Sequence, residues 1–199
     1  MWLARRRISP NLLTLLAPLL GTLVCAAFLR TRSVVPFSLA MTCVGCLDGL
    51  DGAVARVSRR VTKFGSYLDA MADRYVESMV VLVVAQVTGY WTLSMVVMAG
   101  ALLVSYAKAR AAMEAPIANQ EWPDMMERAE RAVLFMGGLA LSALVPWRPL
   151  GHDLFWWTLV VLAVLIHLTV AQRMARAYRL ISERSAQKVS GTFSRTKSA

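Results

Sequence analysis

Four aspartates set in otherwise apolar sequence carry the chemistry of this 199-residue chain. Asp48 and Asp51 lie in Asp-x-x-Asp-Gly-x-x-Ala-Arg, and after eight residues Asp69 and Asp73 lie in Gly-x-x-x-Asp-x-x-x-Asp. A charge at the centre of a membrane helix costs about 2.5–3.5 kcal/mol on insertion scales, so four buried deeply and left alone would cost up to roughly 10 kcal/mol. Such groups need cationic partners. Aspartate carboxylates are hard oxygen ligands for Mg²⁺ or Mn²⁺, and two such ions about 3.5–4 Å apart serve phosphoryl chemistry. Asp48 and Asp51 are three residues apart and Asp69 and Asp73 four apart, so each pair occupies one face of its helix. Gly52 and Gly65 remove side chains where helices or a ligand approach closely. The plain structural alternative is that these carboxylates pair with Arg56, Arg74 or Lys63 and fasten two helices. Four carboxylates with two glycines and an arginine at fixed spacing favour a ligand site. Glu77 continues the Asp69 and Asp73 face by one more turn and reads as a residue that supports the site from behind or as a helix partner.

A second polar group is cationic. Ser105-Tyr106-Ala-Lys108-Ala-Arg110 closes one apolar block, Glu127-Arg128-Ala-Glu130-Arg131 opens the next, and Gln172-Arg173 with Arg176 follows. Guanidinium forks bind phosphate oxygens bidentately, so several cations at one membrane face suit an acceptor that already bears a phosphate. The bland reading of each single residue is anchoring at the cytoplasmic surface.

Six apolar blocks position these residues: Pro10 to Leu29, Val34 to about Val57, Val61 to Thr88, Trp91 to Glu114, Pro123 to Val145, and about Asp153 to Ile181. Ser9 is placed to cap the first, with Pro10 at its first position. Each block approaches the roughly 20 residues that a bilayer span requires. The fold expected is an all-α integral membrane protein with six transmembrane helices over residues 1–181, followed by a polar, basic, disordered tail over 182–199. Basic residues crowd one side of this arrangement, whereas the other side has only Arg30, Arg32 and Arg148. The positive-inside rule therefore puts both termini and the aspartates on the cytoplasmic side of a multi-pass protein of the plasma membrane. The short connection between the second and third blocks predicts antiparallel neighbours whose carboxylate pairs meet at one interface.

The net charge of +10 reads as orientation and anion binding. No basic patch interleaved with exposed aromatics supports nucleic-acid binding. Cys43 and Cys46 lack the second pair or neighbouring histidine of a zinc set, and with Cys25 they read as small packing residues. His152 and His167 read as structural. No Ser, Cys or His is set up as an activated nucleophile, which points to one direct displacement.

The aspartate segment resembles the CDP-alcohol phosphotransferase signature at every fixed position, from Asp48 through Gly52, Ala55 and Arg56 to Gly65, Asp69 and Asp73, and Pro10-Asn11-Leu-Leu-Thr14 resembles that family's first-helix entry. The resemblance implies transfer of a phosphatidyl-type group from a CDP-linked lipid to an alcohol, with release of CMP. It implies that Asp48, Asp51, Asp69 and Asp73 hold one or two Mg²⁺ or Mn²⁺ ions and that Asp73 is the general base. It further implies that Asn11, Asp48, Gly52, Ala55, Arg56, Gly65 and Asp69 receive the nucleotide of the donor.

The Ser-Tyr-x-Lys-Ala-Arg and Glu-Arg-x-x-Arg patterns are similar to those of the phosphatidylinositol-phosphate and archaetidylinositol-phosphate synthase branch, with Ala129 where that branch carries Pro. On that likeness the donor is CDP-diacylglycerol or CDP-archaeol, and the acceptor is inositol 1-phosphate held by Ser105, Lys108, Arg110, Arg128, Arg131 and Arg173. The family also implies a homodimer in the lipid bilayer. Two alternatives stand beside this reading. One is a phosphatidylglycerophosphate synthase using glycerol 3-phosphate; the other, of a different class, is a divalent-cation transporter.

Overall fold

A computed structural model describes residues 10–57, 62–114 and 126–196, with side chains described over 16–47, 62–114 and 126–184. Six α-helices follow in order: α1 Pro10–Thr31, α2 Val34–Val57, α3 Lys63–Thr88, α4 Trp91–Glu114, α5 Arg128–Leu144 and α6 Leu154–Thr196. No strand occurs among the described residues.

The boundaries have local causes. Thr62 caps α3 by accepting a hydrogen bond from the Gly65 backbone N–H at 2.9 Å, so the helix starts at Lys63 and not at Val61. Gly89 ends it in the left-handed conformation at φ 80°, its N–H donating to the Ala85 carbonyl, a position where any Cβ would be strained. α5 begins at Arg128, later than the expected Pro123, because the Glu130 carboxylate reaches back to the Glu127 N–H at 3.0 Å and fixes the first turn there. α6 does not stop at Ile181. It continues to Thr196, since the segment expected as a tail contains the helix formers Glu183, Arg184, Ala186, Gln187 and Lys188.

Packing is dominated by a seam between α4 and α6. On α4 the buried positions are Ser94, Val97, Ala101, Val104 and Ala111; on α6 they are Phe155, Leu159, Leu162, Ile166, Thr169 and Arg173. Both stripes step by three and four residues, the spacing of shallow helix crossings. Glycine makes the approach close. A Cβ on Gly100 would stand 2.5 Å from Ile166 Cγ2, and one on Gly138 of α5 would stand 2.3 Å from Thr158 Oγ1 on α6. At the α3–α4 and α5–α6 connections Trp157 donates to the Pro149 carbonyl at 3.0 Å, and Tyr90 donates to Asp153 Oδ2 at 2.8 Å.

α1 packs against both α2 and α3, and α2 also packs against α5. α2 and α3 do not pack along their lengths among the described residues. The expected meeting of their carboxylate pairs falls on Asp48 and Asp51, whose side chains lie outside the described residues, while α1 packs on the bodies of both helices. A cavity of about 560 Å³ is lined by residues of all six helices, with Gly45 and Cys46 of α2 and Asp73 and Glu77 of α3 in its wall. Cys43 and Cys46 are exposed and only Cys25 is packed inside, which corrects the reading of all three as packing residues.

Among the described residues two helices, Trp91–Glu114 and the Leu154–Arg184 part of α6, are long and apolar enough to cross a bilayer. Leu16–Thr31 and Val34–Leu47 are shorter apolar stretches. α3 is charged as far as its middle by Asp69, Asp73, Arg74 and Glu77, and α5 has 17 residues.

Two expectations follow. Gly138→Ala drives a methyl group into Thr158 and should destabilise the fold by roughly 1–3 kcal/mol. Thr158→Ala in the same chain should recover part of that loss, as read by thermal unfolding in detergent. Burial, and then the hydrogen bond to Asp153, pushes the Tyr90 hydroxyl up to about 12. The native tyrosine thus holds its proton above the ordinary pKa of about 10. Its contribution is complete below about pH 10 and is lost as pH rises through about 12, because the unfolded chain then binds fewer protons. Tyr90→Phe should cost about 1 kcal/mol at neutral pH and show a smaller alkaline loss of unfolding temperature in that window.

Candidate active site at the charged end of the cavity

The charged end of the cavity is built by α3 and α5. Asp69, Asp73 and Glu77 recur at four-residue intervals along α3, and Arg128 and Arg131 occupy the first turn of α5. Arg128 Nη1 stands 2.6 Å from Asp73 Oδ1. One turn deeper, Arg131 Nε and Nη2 both donate to Glu77 Oε1, at 3.1 and 2.9 Å. Glu77 Oε2 also accepts from Arg74 Nη1 at 2.7 Å, and the same Arg74 nitrogen donates to Ser105 Oγ of α4 at 2.7 Å. Arg131 Nη1 donates to the Met126 carbonyl at 2.9 Å. Arg131 is only 4% exposed, so its charge is affordable only with this set of acceptors.

The residues expected to bind phosphate divide into groups. Arg128 lies at the cavity wall. Lys108 is half-buried on the α4 face that also carries Val104 and Ser105. Arg173 is buried and its Nη1 donates to the Val104 carbonyl, since its position continues the buried stripe of α6. Arg110 is not brought to the site. It pairs with Glu114 at 2.5 Å, both half-exposed, because two residues beyond Lys108 a helix has turned to its opposite side. Ser105 serves as acceptor for Arg74 and donates to the Ala101 carbonyl at 3.2 Å.

Asp48 and Asp51 sit in the last turns of α2, but their side chains lie outside the described residues, as do those of Asn11, Ala55 and Arg56 and the surroundings of Gly52. Ser9 lies outside them altogether. Among the described residues no group of three His, Cys, Asp or Glu is close enough to hold a metal. The donor chemistry nevertheless fits a hard divalent cation. Asp73 lines the cavity and already faces a cation in Arg128, the kind of partner a carboxylate in a low-dielectric wall requires. Asp69 is exposed on the same face, and Gly65 stands in the capped first turn of α3.

Arg74, which the sequence offers only as a possible ion-pair partner, joins the cluster. Its place three residues before Glu77 on α3 was the available signal. The histidines are structural: His152 stacks on Trp156 at 4.1 Å, and His167 Nδ1 lies 2.9 Å from the Ala163 carbonyl.

Comparison with known proteins agrees with this geometry. An archaetidylinositol phosphate synthase of Aeropyrum pernix is 31% identical over 175 residues, 87% of this chain and 84% of that protein. A phosphatidylinositol phosphate synthase of Mycobacteroides abscessus is 32% identical over 181 residues, 86% of this chain and 78% of that protein. The fold matches the crystal structure of Mycobacterium tuberculosis phosphatidylinositol phosphate synthase with CDP-DAG bound, with a TM-score of 0.75 at 24% identity over 88% of this chain and 89% of that one. It also matches the same enzyme in complex with manganese and citrate, with a TM-score of 0.76 at 23% identity over 88% and 85%. The family model for CDP-alcohol phosphatidyltransferase matches residues 7–171. With its helical fold and its aspartates in the family's spacing, the chain belongs to the CDP-alcohol phosphatidyltransferases and is a transferase of phospholipid biosynthesis.

Proposed function

We propose that this enzyme transfers a phosphatidyl or archaetidyl group from a CDP-linked lipid to a hydroxyl of inositol 1-phosphate, releasing CMP. The observation that carries the acceptor assignment is the cluster of cations around the cavity end. Arg128 and Arg131 of α5 line it and Arg74 of α3 pairs with Glu77 in its wall, in surroundings where an anion would lower their electrostatic cost. The names of the relatives agree with a phosphorylated inositol acceptor. Membership of a transferase family sets the cation-transporter reading aside.

In this reading Asp48, Asp51, Asp69 and Asp73 hold two divalent ions, Mg²⁺ or Mn²⁺, and a manganese complex of a structural neighbour supports that chemistry. Such ions neutralise the diphosphate of the donor and polarise the phosphorus under attack. Asp73 accepts the proton of the acceptor hydroxyl as its oxygen bonds to the lipid-bearing phosphorus. The bond from that phosphorus to CMP breaks and CMP leaves with the electron pair. Arg128 and Lys108 bind the acceptor phosphate. Arg131 and Arg173, already engaged with protein acceptors, supply fixed positive potential behind it. Asn11, Gly52, Ala55, Arg56, Gly65 and Asp69 receive the cytidine diphosphate. The donor reading is supported by the CDP-DAG complex of the structural neighbour.

We further infer that all six helices span the plasma membrane as a homodimer, with both termini and the charged cavity end on the cytoplasmic side. The excess of Lys and Arg at that side supports the orientation.

The test is CMP release by purified enzyme with CDP-diacylglycerol or CDP-archaeol against inositol 1-phosphate, glycerol 3-phosphate, free inositol and serine. Inositol 1-phosphate should turn over best; turnover of free inositol or serine alone would overturn the phosphate pocket. Asp73→Asn should lower turnover by at least about 100-fold while CDP-lipid binding is largely kept. Near-normal turnover in that variant would remove Asp73 as the base.

A further inference from the structure

α3 and α5 do not pack along their lengths among the described residues, yet the site needs Asp73 of one beside Arg128 of the other. Two ion pairs bridge them: Asp73 with Arg128, and Glu77 with Arg131. The intervals match, four residues on α3 and three on α5, one helical turn each, so the bridges form two rungs between the same faces.

The rungs are unequal. Arg131 is buried and meets Glu77 through two nitrogens, with a third donor on the Met126 carbonyl immediately ahead of α5. Arg128 meets Asp73 at a side-chain exposure of 37%, against 5% for Arg131. The inner rung is therefore the fixed one. Glu77 also reaches sideways through Arg74 to Ser105, so a single carboxylate ties α3 to α5 directly and to α4 through one guanidinium.

We infer that Glu77 is the positioning residue of the acceptor site. By clamping Arg131 it sets the start of α5 so that Arg128 stands over Asp73, ready to meet the phosphate while Asp73 meets the hydroxyl. The identity of the acceptor rests on the function proposed above; the clamp itself rests on the contacts. Both Glu77 oxygens accept hydrogen bonds, so glutamine cannot replace it: its amide N–H₂ would face Arg74 or Arg131 donor to donor.

The test compares wild type, Glu77→Gln and the double variant Glu77→Leu with Arg131→Met, each followed by CMP release and thermal unfolding. Replacing both members of the buried pair avoids the stranded charge on Arg131 that a Glu77 substitution alone leaves, while Arg74 keeps its hydrogen bond to Ser105. The double variant therefore keeps the measurement possible should Glu77→Gln fail to fold. In the folded variants kcat/KM for the acceptor should fall by about 100-fold, the effect expected of an ångström-scale misplacement. The acceptor KM should rise roughly tenfold while the CDP-lipid KM stays within about twofold. A residue that only holds the fold together would lower the active fraction and leave both KM values alone. An unchanged acceptor KM in the folded double variant overturns the inference. If wild type uses only an unphosphorylated acceptor, the acceptor reading fails by itself, and Glu77 is then judged by whether that acceptor's KM moves.

Discussion

The site depends on the electrostatic cost of charge inside an apolar bundle. Arg131 at 4% exposure is tolerable only because Glu77 and a main-chain oxygen meet its donors, and Glu77 in turn shares its second oxygen with Arg74. None of these groups can move alone, since removing one leaves its partners charged and dry. That mutual dependence gives the end of the cavity a defined shape where van der Waals packing is missing. Elsewhere the bundle is rigid for the opposite reason: on the α4 and α6 seam small residues let backbones meet, and the contact at Gly100 leaves no room for a methyl group.

The helices themselves were plain in the sequence because each is an apolar run bounded by residues with a conformational reason to stop it. Gly89 ends α3 where the pattern says it should, and Val34 begins α2 where expected. The misplaced ends are polar ones. Hydropathy has nothing to say about where α5 begins or α6 finishes, because a reaching carboxylate and a run of helix-forming polar residues decide those points.

Site residues were legible as types and spacing, less so as directions. Asp73 and Glu77 share a face because four residues nearly complete a turn, and both reach the cavity. Arg110 looked equivalent to Lys108 by proximity in sequence, yet a two-residue step rotates it to the far side, where Glu114 takes it. The packing partners of α2 and α3 along their described lengths could not be read at all. A five-residue link says that two ends are near, and nothing about which helix packs on the two bodies, as α1 does on both.

Cys46 gives the cavity a practical use. Its thiol stands in the cavity wall two residues ahead of Asp48, while Cys25 is sealed away at 2% exposure. Once Cys43 is changed to serine, the native chain offers a single attachment point for a fluorophore or spin label beside the reaction chamber. Occupancy by lipid can then be followed optically or magnetically without introducing a foreign residue.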